Sequence, residues 1–372
     1  MSFPWRCFGL SHPAVSKTDQ QSGLTLEALG WTAELENSFA ALRERQWVPG
    51  RVVAEDKHHY VVFSPHGALT GRVAGRLLHS AKTPAELPKV GDWVALTPYP
   101  REEKALIHQV LPRQTVLSRK LPGRETAEQV LVANVALAFV VQSADERFNP
   151  RLLERYLLMI TEGGIRPVVA LNKCDLCASP DELAAQAAAA APAAPVLMVS
   201  AKTGRGIRQL AQLIRPRETV VFIGPSGVGK SSLINRLYGE EIAATAEVRE
   251  SDLKGRHTTA WRELIVLPNG GLVIDTPGMR EFHLWTRAAS LRDAFPEIVE
   301  LETACKFTRC SHTAEKNCAV LAAVAQGRLS PERHQSFLKL KRELEYLEKA
   351  GRVRRRKDGG RPGDYLASHP AE

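Results

Sequence analysis

The spacing of apolar and polar residues changes character along the chain. From residue 51 to about 119, apolar residues come in short runs at 51–54, 60–63, 69–73, 92–96 and 105–110, separated by Pro, Gly and His clusters. Such runs, bounded by turn residues, predict strands. Five in so short a segment predict a small barrel of the OB type, a fold that offers one face to single-stranded nucleic acid. Past a linker at 119–126, strand-like runs at 135–141, 167–171, 196–200, 219–223, 263–267 and 272–274 alternate with helical segments. Two helices carry start signals, Asn149-Pro150 before 151–161 and Ser179-Pro180 before an alanine tract. Alternation of this kind predicts an α/β unit with a parallel sheet covered on both faces. Pro268-Asn269-Gly270-Gly271 between two β runs predicts a tight hairpin, and with it an antiparallel edge. Phe337, Leu338, Leu340, Leu344 and Leu347 give residues 331–350 a helical apolar set. Residues 1–45 hold a polar start and one amphipathic patch at 26–42, and a loose extension is expected there.

Composition locates the charge. With 372 residues, 44% hydrophobic and 24% charged, the chain can bury two or three cores, which excludes disorder as its main state. The net charge of +9 is uneven: residues 51–120 hold eleven Lys and Arg against six Asp and Glu, 301–372 hold fifteen against nine, and 121–300 hold twenty against twenty-one. Basic flanks around a neutral middle point to an acidic partner, nucleic acid above all. The longest apolar stretches, 130–141 and 187–194, are interrupted by Asn134 and Pro192, so no membrane span is expected. Residues 1–7 lack the apolar run of a secretory signal, and six cysteines are too few for a disulfide scaffold, so a cytoplasmic protein is expected.

Several motifs carry chemistry. Gly224-Pro225-Ser226-Gly227-Val228-Gly229-Lys230-Ser231, with Ser232 behind it, fits the phosphate-cradling pattern G-x4-G-K-S between a strand and a helix. Its glycines let backbone N–H groups converge on phosphate oxygens, Lys230 can reach the β and γ phosphates, and the Ser231 hydroxyl can ligate Mg2+. Asp275-Thr276-Pro277-Gly278 follows a strand; the carboxylate can hold that metal directly or through water, and Gly278 lets an N–H approach the γ-phosphate. In Asn172-Lys173-Cys174-Asp175, the Asp175 carboxylate can accept N1–H and N2–H of guanine, which adenine does not offer. Asn172 can bridge neighbouring loops, and the Lys173 stem can cover the base. Ser200-Ala201-Lys202, after the next strand, can give a backbone N–H to guanine O6. Together these predict a GTP site. Its guanine-reading loops precede the phosphate loop, an order that circular permutation produces and that leaves the spatial site intact.

Two clusters lie outside that site. Cys305-x4-Cys310-x-His312-x5-Cys318 offers the Cys3His set of a structural zinc, with every position filled by protein and no place for activated water. The run Arg352-Val353-Arg354-Arg355-Arg356-Lys357 reads as a nucleic-acid-binding arm. Cys174 and Cys177 have redox-pair spacing, but Cys174 is the variable position of the guanine loop and the spacing is read as coincidence.

On these motifs together with Gly255-Arg256-His257-Thr258-Thr259, residues 46–350 resemble the bacterial ribosome small-subunit-dependent GTPases (RsgA). The resemblance implies a circularly permuted P-loop GTPase domain at 120–290, an OB-fold domain at 46–119, a helical zinc-binding domain at 291–350 and a basic tail at 351–372. It implies GTP hydrolysis in late maturation of the small ribosomal subunit, rRNA binding, Mg2+ with GTP or GDP, one structural zinc and a monomer. Met279 stands where many GTPases place a water-orienting glutamine. By resemblance that role passes to His257, and Thr258 or Thr259 ligates Mg2+. Two other readings are a GTP-dependent RNA-binding switch with little hydrolysis and a permuted GTPase of large-subunit assembly. The zinc cluster disfavours the latter.

Overall fold

The computed structural model describes residues 24–56, 59–120, 128–240, 262–275, 291–292, 294–308 and 310–357. Strands β1 (Val48–Asp56), β2 (His59–Ser64), β3 (Gly67–Val73), β4 (Trp93–Tyr99) and β5 (Lys104–Val110) run in the order β1-β2-β3-β5-β4, and β4 returns to β1. Only the β3–β5 pair is parallel within this closed barrel. Val52, Tyr60, Val62, Leu69, Val94, Leu96 and Ile107 fill its interior, the alternate positions that a pleated strand turns to one side. A helix preceding the barrel, α1 (Ala33–Arg43), and a short one after β3, α2 (Gly75–Ser80), accompany it.

A ribbon of β6 (Val116–Lys120) and β7 (Glu128–Ala133) leads to the α/β unit. There β8 (Leu137–Ser143), α3 (Pro150–Glu162), β9 (Arg166–Asn172), α4 (Pro180–Ala190), β10 (Val196–Met198), α5 (Ile207–Gln212), β11 (Thr219–Ile223), α6 (Lys230–Tyr238), β12 (Arg262–Val266) and β13 (Leu272–Asp275) follow in turn. The sheet order is β10-β9-β8-β11-β13-β12, parallel up to β13, with β12 antiparallel as the Asn269-Gly270 turn predicts. Its β8 residues alternate between two cores: Ala138 and Val140 face α3 and α4, while Phe139 and Val141 face α5 and α6. Asn149 caps α3 by accepting from Leu152 N at 3.1 Å. Ser179 makes no such bond at the start of α4, where only Pro180 keeps the expected signature.

The antiparallel strand is not an edge. Ala54 and Glu55 of β1 pair with Glu263 and Arg262 of β12, so barrel and α/β unit share one eleven-stranded sheet. That pairing covers backbone groups that an edge strand would expose.

The loose extension expected over 1–45 does not hold for residues 24–45. Thr32 caps α1, and Leu26, Leu29, Trp31, Leu35 and Phe39 are buried against the barrel's outer side. Trp31 meets Phe39 and Trp93 edge-on, with centroids 5.9 and 4.8 Å apart. The amphipathic patch thus has a complementary apolar surface to cover. Fully buried Arg51 joins three segments here, donating to Leu29 O and, at 2.7 Å, to Thr219 Oγ1 at the start of β11.

Helices α7 (Pro296–Glu302), α8 (Ala319–Ala325) and α9 (Pro331–Lys357) pack around Phe295, Ile298, Val320, Phe337, Leu340 and Leu344. The boundary expected at 350/351 falls inside α9, which continues through the basic run. Gly351 alone costs a helix about 1 kcal/mol, too little to end one rich in Glu, Lys and Arg. Among the described residues no helix is long and apolar enough to cross a membrane.

Candidate functional site

The site lies at the C-terminal ends of the parallel strands, where β9, β11 and β13 deliver their loops, the usual ligand position of such sheets. The phosphate loop leaves β11 through Gly224, whose φ of +150° and approach to Val141 O leave no room for a side chain: an added Cβ would stand 2.1 Å from that oxygen. At Gly229 (φ +94°) a Cβ would strike Asn172 Nδ2 at 2.3 Å. Between them Val228 is buried and Ser226 exposed, and Lys230, Ser231 and Ser232 form the first turn of α6. Lys230 Nζ donates to Gly224 O at 2.9 Å and Pro225 O at 2.7 Å, so its ammonium already lies over the cradle. Backbone N–H groups at the N-terminus of α6 and this cation together can bind polyphosphate.

The residues expected to read guanine are wired to that loop. Asn172 Nδ2 donates to Val228 O at 2.8 Å, and its Oδ1 accepts from Ala201 N at 3.0 Å, so one buried side chain ties three loops together. Lys173 holds a left-handed φ of 66° and reaches Gly227 O at 2.8 Å, which lays its stem across the space between the loops. Cys174 is buried and its N–H goes to Val199 O at 3.1 Å. Ser200 Oγ donates to Asp175 Oδ1 at 2.6 Å and accepts from Thr203 N at 3.1 Å. That hydroxyl is the main cause holding the Asp175 carboxyl below its ordinary range, so it stays an ionised acceptor. Arg236 of α6 donates to Ala201 O and Lys202 O, both at 2.8 Å, and clamps the third loop.

Asp275 ends β13 directly opposite Glu263 of β12. Burial first, and the Asp275 charge second, push the Glu263 carboxyl up to about 7. Neither Glu263 nor Arg236 belongs to a motif. Counting back from the Asn269-Gly270 turn would have found the Glu263 register, whereas nothing in a motif reports the helix-to-loop contact of Arg236. His257, Thr258, Thr259 and Gly278 lie outside the described residues.

The second cluster is well removed in sequence. The ligand atoms of Cys305, Cys310, His312 and Cys318 all lie within 4.8 Å of one another. Cys305 Sγ stands 3.9 Å from Cys318 Sγ and 3.8 Å from His312 Nδ1, which is 3.4 Å from Cys318 Sγ. Tetrahedral metal–sulfur bonds of about 2.3 Å separate sulfurs by about 3.8 Å, so the set fits a metal ion. His312 Nε2 meets Glu302 Oε1 at 3.0 Å, which leaves Nδ1 aimed at the cysteines, the orientation a ligating imidazole needs.

A phosphate loop, a guanine loop ahead of it and a strand-end Asp275 in one parallel sheet define a circularly permuted P-loop GTPase. The model of the RsgA GTPase family matches residues 110–285. The Small ribosomal subunit biogenesis GTPase RsgA of Opitutus terrae is 43% identical over 334 residues, 87% of this chain and 90% of that one. The protein of the same name from Syntrophotalea carbinolica is 40% identical over 329 residues, covering 86% and 90%. The chain therefore belongs to the RsgA GTPase family. The crystal structure of YjeQ from Thermotoga maritima superposes with a TM-score of 0.60 at 26% identity, covering 80% of this chain and 98% of that one. YloQ, a circularly permuted GTPase, shares the fold at a TM-score of 0.57, 24% identity and 80% and 95% coverage.

Proposed function

We propose that this protein hydrolyses GTP during maturation of the small ribosomal subunit, working in the cytoplasm as a monomer docked on rRNA. The observation that carries this reading is the 43% identity, over 87% of this chain, with a relative named for that process. The barrel at 46–119 and the metal-binding domain at 291–350 are the docking parts, on either side of the GTPase domain at 120–290. Asp175 reads the guanine edge, Asn172 and Ala201 hold the loops around it, and Lys173 covers the base. Gly224 to Ser232 cradle the phosphates, with Lys230 on the β and γ groups. Ser231, Asp275 and one of Thr258 and Thr259 would hold Mg2+, which would neutralise negative charge on the phosphates. Gly278 gives its N–H to the γ-phosphate, and His257 orients the attacking water. The cysteine cluster holds one structural zinc, the soft four-ligand set that this ion prefers.

The deciding measurement is GTP turnover by the full chain alone, with purified small subunits and with large ones. Stimulation by small subunits only is expected; none, or equal stimulation by large ones, overturns the reading. His257→Ala should lower stimulated turnover by about ten- to a thousand-fold while GTP affinity is kept. Unchanged turnover in that variant removes His257 from the mechanism.

A further inference from the structure

Arg236 is an exposed residue of α6, six positions beyond Lys230, that the phosphate-loop pattern does not require. Its helix neighbours Leu233 and Ile234 are buried in one apolar cluster with Val199, just ahead of the third loop, so packing fixes where Arg236 stands. From there Nε donates to Ala201 O and Nη2 to Lys202 O, both at 2.8 Å. The N–H groups of the same loop are mostly taken. Ser200 N–H goes to Arg205 O at 2.9 Å, Ala201 N–H to Asn172 Oδ1 at 3.0 Å and Thr203 N–H to Ser200 Oγ at 3.1 Å. Among the described residues nothing accepts from Lys202 N–H, so it is the donor that the loop leaves for a base. That N–H shares one planar peptide group with Ala201 O, and across a trans bond the two point in opposite directions. A guanidinium fixed on the carbonyl therefore fixes the direction of the N–H, and its charge polarises the amide into a stronger donor.

We propose that Arg236 is a positioning residue for base selection: by gripping the peptide group between Ala201 and Lys202 it aims Lys202 N–H at guanine O6. A donor held rigidly there meets the guanine carbonyl and opposes the amino group that adenine carries in its place. One helix then serves both ends of the nucleotide, the phosphates through its N-terminus and Lys230, the base through Arg236. This inference rests on the reading of Asn172, Asp175 and the 200–202 loop as the guanine site, and adds what sets the aim of that loop.

The test titrates the full chain, wild type and Arg236→Ala, with three nucleotides in the presence of Mg2+. They are GTP; inosine triphosphate, which keeps O6 but lacks the amino group; and 2-aminopurine riboside triphosphate, which keeps the amino group but lacks O6. Arg236→Ala should weaken GTP and inosine triphosphate alike, by roughly three- to ten-fold, the worth of one hydrogen bond. The analogue without O6 has no such bond to lose and should bind both chains within about two-fold of each other. A retained GTP affinity overturns the assignment, and so does an equal loss for all three nucleotides, which a merely structural role predicts. If the alanine variant binds no nucleotide, Arg236→Lys, which keeps the charge but not the fork, takes its place and must show the same selective loss. A wild type that binds GTP no better than the analogue without O6 fails the guanine reading, and the assignment falls with it. A discriminating wild type beside a variant that loses all three alike fails the assignment alone.

Discussion

Asp175 illustrates how a motif residue is made ready by its neighbours. The Ser200 hydroxyl holds one carboxylate oxygen at 2.6 Å and keeps the group ionised, leaving acceptor positions for the guanine N1–H and N2–H. In Asp175→Asn the amide can turn a donor towards N1–H, so charge-assisted bonds are replaced by a clash of donors. At about 1.5–3 kcal/mol for each such bond, GTP affinity should fall roughly 100-fold or more. Xanthosine triphosphate, which carries a carbonyl where guanine has its amino group, should bind the variant better than GTP does. A competition titration reads both, and undiminished GTP binding would remove Asp175 from base recognition. Residues of this kind are readable in sequence because the ligand's chemistry demands a fixed type at a fixed offset. Arg236 and Glu263 act through helix packing and strand register, which a motif does not encode.

The joining of helices was the least readable part of the fold. Apolar spacing outlines α9 well, but its Arg333 and the Glu154 of α3 look like ordinary surface charges in a linear pattern. In the fold both are buried: Arg333 Nη1 donates to Glu154 Oε1 at 2.8 Å, Nε to Glu297 Oε1 at 2.7 Å and Nη2 to Ala294 O at 2.7 Å, with the guanidinium 4.0 Å over Phe295. Ser336 of the same helix donates to the other Glu154 oxygen, and Arg155 makes a two-pronged bond to Glu343 at 2.9 and 3.0 Å. The C-terminal helices that carry the cysteine cluster are thus clamped to the α/β unit. Arg333→Met strands the buried Glu154 carboxylate and should cost about 3–5 kcal/mol of stability in chemical denaturation. Adding Glu154→Gln removes the stranded charge and should recover part of that loss. A double variant no more stable than Arg333→Met alone would mean that Glu154 is not the partner that matters.

Across the whole molecule, the +9 charge and the continuous sheet bear on each other. The basic segments flank a nearly neutral GTP-binding middle, so contact with an acidic surface falls on domains that do not hold the nucleotide. The β1–β12 pairing gives those contacts a route to it. On β12, Glu263 stands opposite Asp275 at the end of the site proposed for Mg2+, while its neighbour Arg262 stands opposite Glu55 of the barrel, a carboxylate held by Lys89. The Glu55 charge steadies an Arg262 guanidinium that burial pulls below its ordinary pKa. A shift of β12 with nucleotide state must therefore move a barrel strand or break this pairing. Small-subunit affinity should accordingly differ between the GDP form and the form bound to a non-hydrolysable GTP analogue, by a factor of about 5–150. By reciprocity, subunits should change the ratio of the two nucleotide affinities by the same factor. Combining Glu55→Gln with Arg262→Gln should bring that factor towards one, while nucleotide affinity without subunits and subunit affinity without nucleotide change little. Titrations of the four combinations of nucleotide and variant measure it, and a factor unaltered by the paired substitution would rule out this strand junction as the link.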